Sequence, residues 1–354
     1  MTSSRQLTYA QALHEALDIA LGRDPNVYVL GLGAPDPVGV FGTTLGLAQK
    51  YGGRRVLDTP VSENAMTGIA LGSALVGMRP VMTHVRLEFA ILAMDQICNQ
   101  AAKWHYMFGG QSRMPIVIRM IVGRGWGQGP QHSQSLHAWF AHIPGLKVVM
   151  PSTPHDAKGL LLGAIADDSP VVFIEHRWLY NIHGPVPTNH YEIPLGVSRT
   201  VRPGRDSTIV ASSYSTLEAV RAAGRLAAQG IDAEVIDVRT LSPLDDRSII
   251  DSVRRTGHLV VADQGTLTAG FAGEIVARVS TKAFDALKSA PERVTLPDFP
   301  TPTTRALANY HYPTVGHIVA AVLRQHGRPA PGPFEKIRPE DKLDVPDVTF
   351  KGPF

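Results

Sequence analysis

Between Val122 and Gln134 the chain reads VGRGWGQGPQHSQ, four alternating glycines leading to His132 with Gln131, Ser133 and Gln134 around it. Such a run after a β-branched segment makes a flexible loop at a strand end, where open α/β sheets place ligands. No Gly-Lys-Ser/Thr follows and the spacing is not GxGxxG, so a phosphate cradle is not indicated. An imidazole among hydrogen-bonding side chains at a loop tip suits proton transfer or ligand contact. A second candidate, the carboxylate of Glu63, lies in DTPVSEN just before a helical pattern rich in small residues. There it can act on the helix dipole, with Ser62 or Asn64 as cap, and spacing alone favours that structural role. In THVRLEF, residues 83–89, His84, Arg86 and Glu88 alternate. On a strand they share one face, which is either solvated or a pocket wall. Asp167, Asp168 and Ser169 offer oxygens to a cation or form a plain helix end. His105, His137, His142, His155 and His176 show no metal-ligand spacing and read as structural or surface residues.

These groups need a scaffold, and the first half supplies alternating helical and β-branched patterns. YAQALHEALDIALGRD, NAMTGIALGSALVG, AILAMDQICNQAAKWHYM and AKGLLLGAIADD read as helices; VYVLGLGA, RPVMTHV, PIVIRMIVG, LKVVMP and PVVFIEH read as strands. The alternation predicts right-handed crossovers and a largely parallel sheet covered on both faces. Periodicity lapses in NIHGPVPTNHYEIPLG, read as a linker over 181–200. The rhythm then restarts with STIVASS, AEVIDVRT and HLVVAD separated by helical patterns. The expected fold class is therefore α/β with two doubly wound domains, 1–180 and 201–328, followed by a proline-rich arm over 329–354.

Composition narrows the function classes. The 354 residues carry Lys+Arg 34 against Asp+Glu 31 with no block of like charge, so no nucleic-acid footprint is expected. No apolar run reaches membrane-spanning length and the first residues lack a signal-peptide layout, which predicts a soluble cytoplasmic protein without membrane partners. One cysteine, Cys98, excludes an internal disulfide framework and any cysteine-rich metal site. The 33 Gly and 27 Pro fit many turns between short elements.

Taken together, GVFGTTLGL at 39–47, RVLDTPVSEN, DQICNQAAKWHYMFGGQ, GPQHSQSLHAWFAHIPGLKVVMPSTPHDAKGLL and IDVRTLSPLD resemble the beta subunits of the thiamine-diphosphate-dependent 2-oxo acid dehydrogenases. That family includes the pyruvate, branched-chain and acetoin enzymes, and the likeness runs from about residue 5 to 325. It implies a transketolase-like pyrimidine-binding domain followed by a transketolase C-terminal domain. It also implies a cofactor lying between chains, with its aminopyrimidine on this subunit and its diphosphate and Mg2+ on an alpha subunit. No Gly-Asp dipeptide occurs, so the family's diphosphate motif is missing here and the chain is expected to be half an active site.

By the same resemblance Glu63 is the carboxylate on the aminopyrimidine N1′, its pKa raised by burial. Phe89 stacks on that ring, Val85 joins the cofactor site, and His132 faces the thiazolium and assists substrate binding and acyl transfer. Ile116, Ala164, Asp167 and Ser169 match a structural potassium site, with Ser169 where asparagine is common. Departures lie in 83–88, often Glu-Ile-Gln-Phe-Ala-Asp in the family. His84 and Arg86 are substrate candidates there, Arg86 for an anionic group. Asp263-Gln264 stands for a usual Glu-Glu pair and has no account from sequence. The implied activity is decarboxylation of a 2-oxo acid with transfer of the acyl group to a lipoyl arm or another acceptor. The partners would be an alpha chain, in a tetramer of two alpha and two beta chains, and a lipoyl acyltransferase core. Carboligation, half of a split transketolase, and a non-catalytic scaffold are the alternatives.

Overall fold

The computed structural model describes residues 4–123 and 127–332. Arg124, Gly125 and Trp126 of the glycine-rich loop, and the arm from 333 onward, lie outside the described residues. Two twisted sheets organise the rest, each sandwiched between helices. The larger has seven strands in the order Thr240–Ser242, Lys147–Val149, Val171–His176, Val117–Val122, Arg79–His84, Val27–Gly31, Val56–Leu57. All neighbours run parallel except the first pair, which is antiparallel. The central strands Val117–Val122 and Val171–His176 are buried at every position, which is why their sequence is apolar without alternation. The smaller sheet runs Glu292–Leu296, Leu259–Thr266, Ser207–Ala211, Ala233–Asp237, Arg199–Arg202, parallel but for the last strand. Among the described residues no helix is long and apolar enough to cross a membrane.

Two expectations change. The segment read as a featureless linker carries the strand His183–Pro187, paired antiparallel with Ser4–Thr8. The two halves of that ribbon are distant in sequence, so neither shows a hairpin signature. More consequential, the strand expected through residue 88 stops at His84. A helical run begins at Leu87 and continues to Met107, with π-helical geometry over Asp95–Ala101. Leu87, Ala90, Ala93, Ile97 and Ala101 are all buried, and their three- and four-residue spacing specifies helix over the polar alternation of 84, 86 and 88. His84 thus ends a strand, Arg86 sits in the turn and Glu88 lies in the first turn of the helix, so the three do not share a strand face.

The two halves are joined by polar contacts as well as by chain. Asp156, buried at a helix start, receives Arg239 at 3.0 Å and Arg199 at 3.3 Å from the second half. His137 Nε2 lies 2.9 Å from the Asp263 carboxylate, which also accepts the Ala272 N–H at the start of the helix Phe271–Lys282. Asp263, unexplained by sequence, is therefore both a cap and an interdomain partner.

Candidate functional site

Glu63 is the first residue of the helix Glu63–Leu75, and Ser62 before it makes no side-chain capping bond. The carboxylate, partly exposed rather than buried, instead faces a recess at the C-terminal ends of the strands. That recess is lined by Leu32, Val61, Glu63, Met66, Met82, Thr83, His84, Val85 and Phe89 among others and measures about 20 Å³ on this chain. Leu32 and Val61 at its lining are 43% and 77% exposed, apolar surface that one chain leaves uncovered. The buried Thr83 hydroxyl has no partner, which leaves one polar atom of this wall unsatisfied. A flat aromatic ring with polar edges fits such a wall: apolar side chains and Phe89 for its faces, Glu63 for a ring nitrogen.

Burial holds the His84 imidazole down at about 4, so it is neutral at ordinary pH, and its Nε2 lies 3.2 Å from the Thr67 hydroxyl. Phe89 meets His132 edge to face with ring centroids 5.6 Å apart. The glycine-rich loop and the strand-to-helix turn, more than 40 residues apart in sequence, thus converge. Gly129 has φ +66° and a side chain there would strike the Thr303 hydroxyl at 2.7 Å, so glycine is required where the loop crosses the second half.

Arg86 does not line the recess. It is buried, and its two terminal nitrogens donate to the His132 carbonyl and to Gln128 Oε1, each at 2.7 Å. This corrects the expectation of a guanidinium presented to an anionic substrate. Arg177, following the strand Val171–His176, donates to the same Gln128 oxygen at 2.6 Å. Burial, and then the nearby Arg86 charge, bring its guanidinium down to about 9. Glu88 Oε1 accepts the Gln134 N–H at 2.7 Å, and burial raises the pKa of its carboxyl. Gln128 and Arg177 were not singled out by sequence; the one available signal was Arg177's place at the C-terminal end of a central strand.

Three of the potassium candidates, Ile116, Asp167 and Ser169, already have protein partners. The Ile116 carbonyl accepts the Val171 N–H, and Arg79 donates to the carbonyls of Ile165 and Asp167. The Asp167 carboxylate binds Lys147 at 2.5 Å and the Ser169 N–H at 2.8 Å. Protein cations stand against this corner, and the residues present do not make a cage of free oxygens. Among the described residues no group of three or more His, Cys, Asp or Glu side chains could hold a metal ion.

The pyrimidine-binding domain of transketolase matches residues 5–182 and the transketolase C-terminal domain matches 196–318. The beta subunit of acetoin:2,6-dichlorophenolindophenol oxidoreductase from Cupriavidus necator is 45% identical over 90% of this chain and 97% of its own length. Its Bacillus subtilis counterpart is 41% identical over 92% and 99%. The pyruvate dehydrogenase E1 component subunit beta of Rhizobium meliloti is 40% identical over 91% of this chain and 70% of its own length. The chain belongs to the beta subunits of the thiamine-diphosphate-dependent 2-oxo acid dehydrogenases. As a beta subunit it has the transketolase-like fold: a solved split-gene transketolase, described as an inactive beta4 tetramer, superposes with TM-score 0.74 at 23% identity, covering 90% of this chain and 98% of that one. The expected family and α/β fold class of the beta subunit are thereby both met.

Proposed function

We propose that this beta subunit forms the aminopyrimidine-binding wall of a thiamine diphosphate site completed by an alpha chain, in a tetramer of two alpha and two beta chains. The observation that carries this is the convergence of Glu63 and Phe89 on one recess, with His132 held edge-on to Phe89. The exposed Leu32 and Val61 support a partner surface over that recess. Thiamine diphosphate, when bound, supplies the electron sink for decarboxylating a 2-oxo acid. This chain's own residues bind and orient. Glu63 shares a proton with a ring nitrogen, an exchange that strengthens once a partner excludes water from its carboxylate. Phe89 offers a ring face, neutral His84 and the Thr83 hydroxyl offer hydrogen bonds, and His132 presents its imidazole to substrate and to the departing acyl group. Mg2+ would be held mainly by the alpha chain, and no step is assigned to potassium. The acyl group passes to a lipoyl arm or another acyl acceptor.

The test is co-purification with an alpha-type chain, followed by a panel of 2-oxo acids and acetoin with and without lipoylated acceptor. Glu63→Gln should abolish turnover while the tetramer survives gel filtration. Full activity in that variant would overturn the catalytic reading in favour of a scaffold.

A further inference from the structure

We infer that Arg86 and Glu88 are positioning residues that grip the two consecutive peptide groups on either side of Ser133 and so fix where His132 points. This rests on the functional reading of His132 given above. The His132 carbonyl belongs to the first of those peptides and takes the Arg86 guanidinium; the Gln134 N–H belongs to the second and donates to Glu88. A donor meets the carbonyl and an acceptor meets the amide, both bonds are charge-assisted, and the two side chains are opposite in sign. Leu87 between them is fully buried, which anchors both grips to the start of the helical run. Arg86 also reaches back to Gln128, where Arg177 joins it, so the loop is tied at both ends of its described part. Ser133 is itself buried, leaving the loop little room to shift. Such a grip confines the imidazole to one orientation beside Phe89, the kind of placement that governs a reaction step without touching the reactants.

The experiment uses the reconstituted alpha–beta holoenzyme with Arg86→Met, Arg86→Lys, Glu88→Ala, His132→Ala and the double variant Arg86→Met with His132→Ala. For Arg86→Met and for Glu88→Ala, kcat for acceptor acylation should fall by roughly tenfold, with thiamine diphosphate affinity by fluorescence titration and the melting temperature nearly unchanged. Arg86→Lys should recover part of the loss. In the His132→Ala background the Arg86→Met loss should vanish, because a residue acting through another has nothing left to act on. Hydrogen exchange over residues 127–134 should quicken by about tenfold in either single clamp variant, which reads the grip apart from catalysis. An equal loss with and without His132, or exchange unchanged in both clamp variants, overturns the clamp. A fully active His132→Ala variant with quickened exchange in the clamp variants would instead remove the reading of His132 and leave the grip standing without a catalytic consequence, which also overturns the inference.

Discussion

Arg119 and Glu175 show how much charge the chain commits to purely internal work. Both are wholly buried, with Arg119 Nε 2.5 Å and a terminal nitrogen 2.9 Å from the carboxylate, and Tyr180 and Thr43 add one hydrogen bond each. A pair like this is worth little against an apolar substitute, yet breaking it strands a charge. Arg119→Met should therefore lower stability by about 3–5 kcal/mol, and Arg119→Met with Glu175→Leu should cost much less, read by urea denaturation. The residues that carry the proposed chemistry lay in contiguous motifs with fixed spacing, so Glu63, Phe89 and His132 were legible from sequence once the resemblance was seen. Arg86 was not. Its partners are 42 and 46 residues away, and a lone arginine in a polar alternation gives no local sign that it is spent on a backbone carbonyl.

At the scale of elements, the turn after His84 decides the site, and there polar alternation misled while the apolar spacing of the following helix was the stronger determinant. The strands themselves were legible because buried parallel strands read as continuous apolar runs; the paired strand inside the linker was not, since pairing over a long chain separation leaves no turn signal. The strand Ala233–Asp237 ends on a carboxyl that burial, with Asp156 nearby, pushes up to about 7, while Ser152 donates to it. A folded pKa above the unfolded one means that its stabilising contribution is whole below about 4 and gone above about 7. Asp237→Asn should thus raise the melting temperature clearly at pH 8.5 and less at pH 5, where only the first part of that loss has occurred. At Gly123 an added Cβ would come within 2.5 Å of the Arg177 side chain, at φ +152°. Gly123→Ala is expected to push Arg177 off Gln128 and to lower kcat without altering assembly, measured by steady-state kinetics and gel filtration.

At the scale of the whole molecule, the recess is only one wall, and this chain alone should show no 2-oxo acid turnover until an alpha-type chain is added. Mixing titrations should reach full activity at one alpha per beta. The halves of this chain, by contrast, are not separable parts. Thr240–Ser242, from the second, completes the sheet of the first by pairing with Lys147–Val149, and the Met150 N–H reaches the Arg239 carbonyl at 2.8 Å. A protease nick between residues 188 and 198 should consequently release nothing, the fragments staying stitched through a shared sheet. Expressing residues 4–182 alone would lay bare the edge at Lys147–Val149, and an uncovered edge recruits whatever extended chain it meets, its own copies first.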